Sequence, residues 1–259
     1  MNGEFHQMLL ITALGNGYLI SGTDPSSNEL EQTSMVDVSF SAGEGQPPSG
    51  WRDWLEQRRL AGYQRLMMVS AAAQGSEWQT SGFAGGGAPS AIVTLGAGGQ
   101  RLWRPEWKLE RQRSQSRWRV LYTGYEYTDS MRAGHEFVTM SDMFVRLGRA
   151  LWQIGTLAEE IGESFWKQNF FDPAIEMLDD RTPSRKFAFQ LPPVYTDDSW
   201  RLLNAIYKSW VFGGMGSWND VPPASAHDHG KGADYDRCSG ELYAALLQGA
   251  RTAVNSVIF

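Results

Sequence analysis

One apolar stripe between Phe144 and Phe165 constrains the fold of this chain most strongly. Its residues recur at alternating spacings of three and four, the pattern of one face of an α-helix. They are Phe144, Leu147, Leu151, Ile154, Ala158, Ile161 and Phe165. The stripe covers about six helical turns and Ser141 is predicted to cap it. Because the helix is long, we expect it to span the domain.

Two further helices are predicted after this stripe. One opens at Asp198 and the last begins at Asp234. Their apolar positions are Leu202, Leu203, Ile206, Tyr207 and Trp210 in the first, and Tyr235, Cys238, Leu242, Leu246 and Val254 in the last. Residues Phe187–Gln190 indicate a short strand, and Pro222–Gly232 indicates a polar loop.

The first half of the chain shows strand patterns instead. Apolar or alternating runs typical of strands occupy Phe5–Leu14, Met35–Phe40, Ala91–Leu95, Leu102–Glu110 and Trp118–Thr128. A helix is predicted over Trp51–Arg65. The glycines of residues 96–99 favour a hairpin turn, and the polar residues 112–116 favour another between the last two strands.

The order of these elements predicts an α+β fold, because strands precede helices and do not alternate with them. We expect an antiparallel β-sheet in the N-terminal half, packed with a mainly helical C-terminal half. The 259 residues fit one domain. A subdivision into a β-rich part (1–130) and a helical part (131–259) stays open, and the glycine-rich residues 82–89 are the best internal boundary.

Composition and segment length exclude a membrane-spanning or disulfide-stabilised chain. Hydrophobic residues make up 42% and charged residues 20%, as in soluble globular proteins. No stretch approaches 18 apolar residues, and the N-terminus lacks the basic start of a signal peptide. Cys238 is the only cysteine, and we expect it to be buried and inert. These features predict a cytoplasmic protein.

Charge is distributed unevenly along the chain. Residues 1–56 carry eight acids against one arginine, a balance of −7, whereas residues 101–119 carry seven bases against two acids, a balance of +5. The overall net charge is −6. Nucleic-acid binders usually have a dominant basic surface, which this chain lacks. Both runs are compatible with a solvated surface, but the acidic one would suit a basic protein partner.

The segment Trp210–Asp220 concentrates three glycines, two tryptophans and an Asn-Asp pair in eleven residues. Glycine allows positive φ and close approach of another surface, and tryptophan is enriched at binding hot spots. The segment therefore has the composition of a rigid recognition loop. The alternative is a helix end followed by a tryptophan that belongs to the core.

No catalytic constellation is complete in the sequence. His227 and His229, with Asp220 and Asp234 nearby, could ligate a metal in a hydrolase, but no further ligand has a recognisable spacing. The glycines at 96–99 precede a strand, not the helix that a phosphate-binding turn requires. We therefore expect no enzyme activity and no cofactor, with a metal-dependent hydrolase as the alternative.

At Gly213–Asp220 the chain resembles immunity protein family 52 of bacterial polymorphic toxin systems. The likeness extends over about residues 198–256 and includes an aromatic helix before the loop (Trp200, Tyr207, Trp210) and a closing helix (Tyr235, Leu242, Ala253, Val254, Asn255). It implies a protein that binds and neutralises a nuclease toxin with a restriction-endonuclease-like fold, often delivered by type VI secretion. It brings no catalytic residues with it.

An inhibitor of this kind needs an apolar anchor and complementary charge. The predicted partner-binding residues are Met215, Ser217, Trp218, Asn219, Asp220, Asp228, Asp234, Glu29, Glu31 and Glu44. The carboxylates among them could mimic phosphate in a nuclease cleft. Binding at the cleft, binding elsewhere on the toxin, the oligomeric state and a general scaffolding role all stay open.

Overall fold

The computed structural model describes residues 1, 3–24, 36–43, 46–70, 77–83, 86–87, 89–112, 115–128, 137–181, 183–185 and 190–258. Within these ranges the chain forms six strands and eight helical segments. The strands are β1 (Val36–Ser41), β2 (Ser49–Gly50), β3 (Tyr63–Ser70), β4 (Ser90–Gly96), β5 (Gly99–Gln112) and β6 (Gln115–Glu126).

Most helices follow the strands. They are α1 (Gly3–Ser21), α2 (Trp51–Leu60), α3 (Glu77–Thr80), α4 (Met140–Glu160), α5, α6 (Asp197–Lys208), α7 (Pro222–Asp228) and α8 (Gly232–Asn255). Helix α5 is built from Ser164–Trp166, a π-helical turn at Lys167–Phe171 and Asp172–Asp179. The predicted α+β class, with strands mainly early and helices mainly late, is confirmed.

The six strands form one mixed sheet in the order β2-β1-β6-β5-β4-β3. The β4–β5 and β5–β6 pairs are antiparallel hairpins, as predicted. Strand β1 runs parallel to β6, with Val36 opposite Trp118, so the expected purely antiparallel sheet is wrong. The parallel pair arises because β1 joins the sheet beside β6, a strand far away in sequence.

The main core lies between one sheet face and the helices. Its largest buried side chains include an aromatic cluster from β1, α2, β5 and β6: Phe40, Trp51, Trp54, Trp103 and Tyr122. Helix α4 packs against α8, and α8 also contacts α6, α1 and β3. The same buried cluster therefore includes residues from both halves of the chain.

Strand β3 is an edge strand whose outer side is paired by two asparagine side chains. Asn16 of α1 accepts a hydrogen bond from the Leu66 amide at 2.7 Å and donates to the Leu66 carbonyl at 2.9 Å. Asn255 of α8 does the same for Met68, at 2.8 Å in both directions. Each carboxamide thus substitutes for the peptide group of a neighbouring strand, and buried edge groups do not stay unpaired.

The predicted strand at Phe5–Leu14 is wrong, because these residues lie inside helix α1. Twelve residues of α1 are buried, on all sides of the helix. A helix buried all round has no apolar stripe, so periodicity cannot distinguish it from a buried strand. The predicted loop at Pro222–Gly232 also contains a helix, α7, which starts with two prolines at positions that tolerate them.

Smaller differences concern helix ends. The helix predicted from Trp51 stops at Leu60, and Tyr63–Ser70 forms β3. Thr139, and not Ser141, caps α4 by accepting from the Asp142 amide. Phe165 lies beyond α4 and is 59% exposed. Of the predicted strand at 187–190, only Gln190 is described, and it is not in a strand.

Candidate functional site

The glycine loop (residues 213–220) connects α6 to α7 and is anchored by Trp218. This side chain is fully buried. Its ring stacks on Tyr235 at 5.6 Å and meets Trp166 and Phe171 edge to face at 5.7 and 5.5 Å. Its Nε1 donates to Ser239 Oγ at 2.8 Å. The prediction that Trp218 contacts a partner is therefore corrected: the ring belongs to the core.

Side chains of the loop hold its backbone in one shape. Asp220 Oδ2 accepts from the Gly216 amide at 2.8 Å, and Gly216 has φ of +77°, which side chains other than glycine's rarely tolerate. Ser217 Oγ accepts from the Asn219 amide at 3.3 Å, and the Ser217 amide donates to the Gly214 carbonyl at 3.1 Å. Asp220 and Ser217 therefore stabilise the turn itself. Gly214 has no positive φ and no neighbour near a would-be Cβ, so only Gly216 requires glycine for conformational reasons.

The loop is also fixed from outside by the segment around α3. Asn219 Nδ2 donates to the Trp78 carbonyl at 2.8 Å. A Cβ on Gly82 would lie 2.3 Å from the carbonyl carbon of Gly213, so the two backbones touch. The sequence showed both glycine-rich segments, but nothing in their spacing showed that they meet.

These two touching segments present exposed apolar side chains. Met215, at the tip of the glycine loop, is 98% exposed, and Phe83, next to Gly82, is 64% exposed. Val221 follows the loop and is also exposed. We call Phe83, Met215 and Val221 the loop surface. Phe83 and Val221 were not predicted, because their exposure depends on how the segments pack.

The predicted acidic residues are dispersed. Asp228 is exposed at the end of α7, whereas Asp234 pairs with Arg237 at 3.0 Å within α8. Glu29, Glu31 and Glu44 lie outside the described residues. Of the predicted set, Met215 and Asp228 are thus the described side chains that are exposed without a role in holding the loop.

Three of the four side chains of the alternative metal site have contacts of their own within the protein. His229 Nδ1 lies 2.8 Å from the Ser225 carbonyl, Asp220 holds Gly216, and Asp234 pairs with Arg237. In the described part of the chain, no three His, Cys, Asp or Glu residues gather as metal ligands do. Cys238 is buried as predicted, and burial raises the pKa of its thiol.

The basic run at 101–119 forms most of the β5–β6 hairpin. Its charges are partly balanced there, because Lys108 pairs with Glu106 at 2.9 Å and Arg119 with Glu110 at 2.8 Å. The side chains of residues 111–117 are outside the description. Exposed pairs of this kind contribute little to stability.

Comparisons with known proteins identify no match for this chain. No protein-family model, no curated protein and no solved structure matches the chain. Among the described helices, none combines the length and apolar character needed to cross a membrane.

Proposed function

We propose that this chain is an immunity protein that binds a nuclease toxin through the loop surface and thereby neutralises it. The observation that carries the proposal is the contrast within the glycine loop. Trp218 is fully buried while Met215, three residues earlier, is 98% exposed. Exposing an apolar side chain to water on a fixed backbone is unfavourable in free energy. Burial of that side chain against a binding partner offsets this cost.

The anchoring of the loop supports a binding role physically. Ordering a flexible loop on binding costs conformational entropy, and a preorganised loop avoids that cost. Here three side chains hold the loop backbone by separate hydrogen bonds. Trp218 donates to Ser239, Asn219 donates to the Trp78 carbonyl, and Asp220 accepts from the Gly216 amide. Met215 and Phe83 then supply apolar contact area to a partner.

The resemblance to immunity protein family 52 supports the choice of partner. It rests on the same loop, on helix α6 before it and on the closing helix α8. The partner is a protein and not a nucleic acid, and the protein acts in the cytoplasm, where a delivered nuclease would reach its substrate. The acids of residues 1–56 give that part of the chain a charge balance of −7, and Asp228 is exposed. Such charges suit the basic surface of a nuclease.

The test uses the nuclease toxin encoded beside this protein, purified and assayed for cleavage with increasing amounts of the inhibitor. Met215→Asp places a charge within the loop surface, at its most exposed side chain. We expect at least a tenfold loss of inhibition, equivalent to about 1.4 kcal/mol, with an unchanged melting temperature because Met215 contacts little of its own protein. Leu60→Asp is the matched control, since Leu60 is 74% exposed on α2 and should leave inhibition intact.

Two results would contradict the proposal. Full inhibition by Met215→Asp would remove the loop surface from the interface. A neighbouring toxin that the parent protein binds but does not inhibit, or does not bind at all, would remove the immunity function.

A further inference from the structure

Two arginines lie against the buried indole of Trp103, on the sheet face that α2 covers. Arg58 is in the last turn of α2, and Arg101 is two residues before Trp103 on β5. Their guanidinium carbons lie 5.2 and 5.8 Å from the centroid of the Trp103 ring, which is fully buried. The two positive groups therefore share one aromatic support.

Arg101 is held in place by neutral acceptors. One of its terminal nitrogens donates to the carbonyls of Ala42 and Gly124, the latter at 3.2 Å. Its Nε is buried and has no hydrogen-bond partner. A Cβ on Gly124 would lie 2.5 Å from that Nε, so the glycine allows Arg101 to cross β6. Backbone carbonyls position the guanidinium but do not neutralise its charge.

Arg58 has still fewer polar contacts. Its guanidinium carbon lies 5.5 Å from the centroid of the Tyr63 ring, and its Nε is buried without a hydrogen-bond partner. Burial lowers the pKa of Arg58, the nearby Tyr63 raises it, and the positive charge of Arg101 lowers it. Burial and the charge of Arg101 both act against the charged form of Arg58.

Nearby carboxylates do not supply that compensation. Glu126 lies opposite Arg101 in the β5–β6 register, and Glu56 pairs with Arg59 at 2.6 Å. Among the described residues, neither Arg58 nor Arg101 forms an ion pair with a carboxylate. Partly buried charges in proteins are normally paired, because an unpaired charge loses hydration free energy and gains no ion pair that compensates for it.

We propose that Arg58 and Arg101 form a binding site for a phosphate-type oxyanion. A phosphate group carries up to two negative charges and several acceptor oxygens, and guanidinium groups match it through charge-assisted hydrogen bonds. The oxyanion pairs with the donors of Arg58 that have no protein acceptor, and it balances Arg101 beside it. This site is built from α2 and β5, shares no residue with the loop surface, and is independent of the proposed function.

The experiment measures melting temperature and heats of binding of the full chain with inorganic phosphate, acetate and chloride as sodium salts at equal ionic strength. We expect phosphate to raise the melting temperature saturably, by at least roughly 2 °C, with a calorimetric stoichiometry near one site per chain. Chloride and acetate should give no saturable rise. An equal response to acetate or chloride would overturn the phosphate assignment.

Arg58→Gln is the decisive variant. It should melt close to the parent in chloride, because it removes an uncompensated charge, and it should lose the phosphate response. Arg59→Gln is the matched control on the same turn, and it should keep that response because Arg59 is already paired with Glu56. Arg58→Gln with a full phosphate response would overturn the site, as would a parent protein without one.

Discussion

Individual residues of the glycine loop show how packing separates core side chains from exposed ones. Trp218 and Met215 are both large and lie three positions apart, yet one is fully buried and the other 98% exposed. A turn held by Asp220 and Gly216 reverses the chain direction between them. The residue type alone suggested Trp218 as the anchor, whereas the packing gives the exposed position to Met215.

His6 makes a second residue-scale point, because it gives the fold a defined response to acid. Its Nδ1 lies 2.6 Å from the hydroxyl of Tyr207. Burial, with a smaller contribution from the N-terminal charge, lowers the pKa of His6 to about 4 from an ordinary value of 6.5. The unfolded chain therefore binds a proton between pH 6.5 and 4 that the folded chain does not.

We predict that this histidine reduces stability as the pH falls. Its contribution is fully present above pH 6.5 and is lost towards pH 4, at no more than about 1.4 kcal/mol per pH unit. His6→Gln should flatten this part of the pH profile of the free energy of unfolding, measured in urea. The exposed His229→Gln is the control and should keep the parent's slope. Parallel profiles for His6→Gln and the parent would contradict the prediction.

At the scale of elements, the side chains of α1 and α8 complete the sheet. Edge strands are sites of unwanted pairing with other chains. In β3 the outward peptide groups of Leu66 and Met68 are instead paired by Asn16 and Asn255. These two asparagines tie the first and last helices of the fold to the same strand.

We predict that Asn255→Ala lowers the free energy of unfolding by about 1–3 kcal/mol, because it leaves a partly buried amide and carbonyl of Met68 without partners. Asn16→Ala should cost at least as much, since Asn16 is fully buried. Urea unfolding followed by tryptophan fluorescence provides the measurement. Gln57→Ala on the exposed side of α2 is the control. A change below about 0.5 kcal/mol for Asn255→Ala would show that the pairing contributes little.

At the scale of the whole molecule, charge should control how fast the proposed toxin partner is captured. The net charge is −6, and residues 1–56 alone contribute −7. A nuclease that binds polyanionic substrate attracts such a surface over long distances, which changes association more than dissociation.

We predict that reversing Glu29, Glu31 and Glu44 to lysine slows association with the toxin and flattens its salt dependence, with little change in dissociation. The control reverses Glu176, Asp179 and Glu241, exposed acids of α5 and α8, and changes the net charge equally. Stopped-flow association at two salt concentrations compares them. Equal slowing of association in both variants would assign the effect to net charge alone. An association rate of the parent protein that does not change with salt concentration would contradict electrostatic capture.

Local patterns in the sequence predicted the elements whose residues alternate between core and solvent. The stripe of α4 and the alternating residues of β6 each bury one face, so their periods of 3.6 and 2 are visible in the chain. Strand β4 is buried on both faces, and its short apolar run indicated a strand without any alternation. The turn at 96–99 and the buried Cys238 followed from equally local signals. Where an element is buried on all sides, as α1 is, that signal disappears.

Only the tertiary structure decided the properties that depend on contacts between distant segments. The parallel pairing of β1 with β6, the asparagines along β3 and the contact of Gly82 with Gly213 join residues tens to hundreds of positions apart. The same holds for Trp218, whose burial depends on α5 and α8, and for Arg58 beside Arg101. The sequence determines which side chains lie near one another along the chain. Tertiary packing determines which of these side chains remain exposed to solvent.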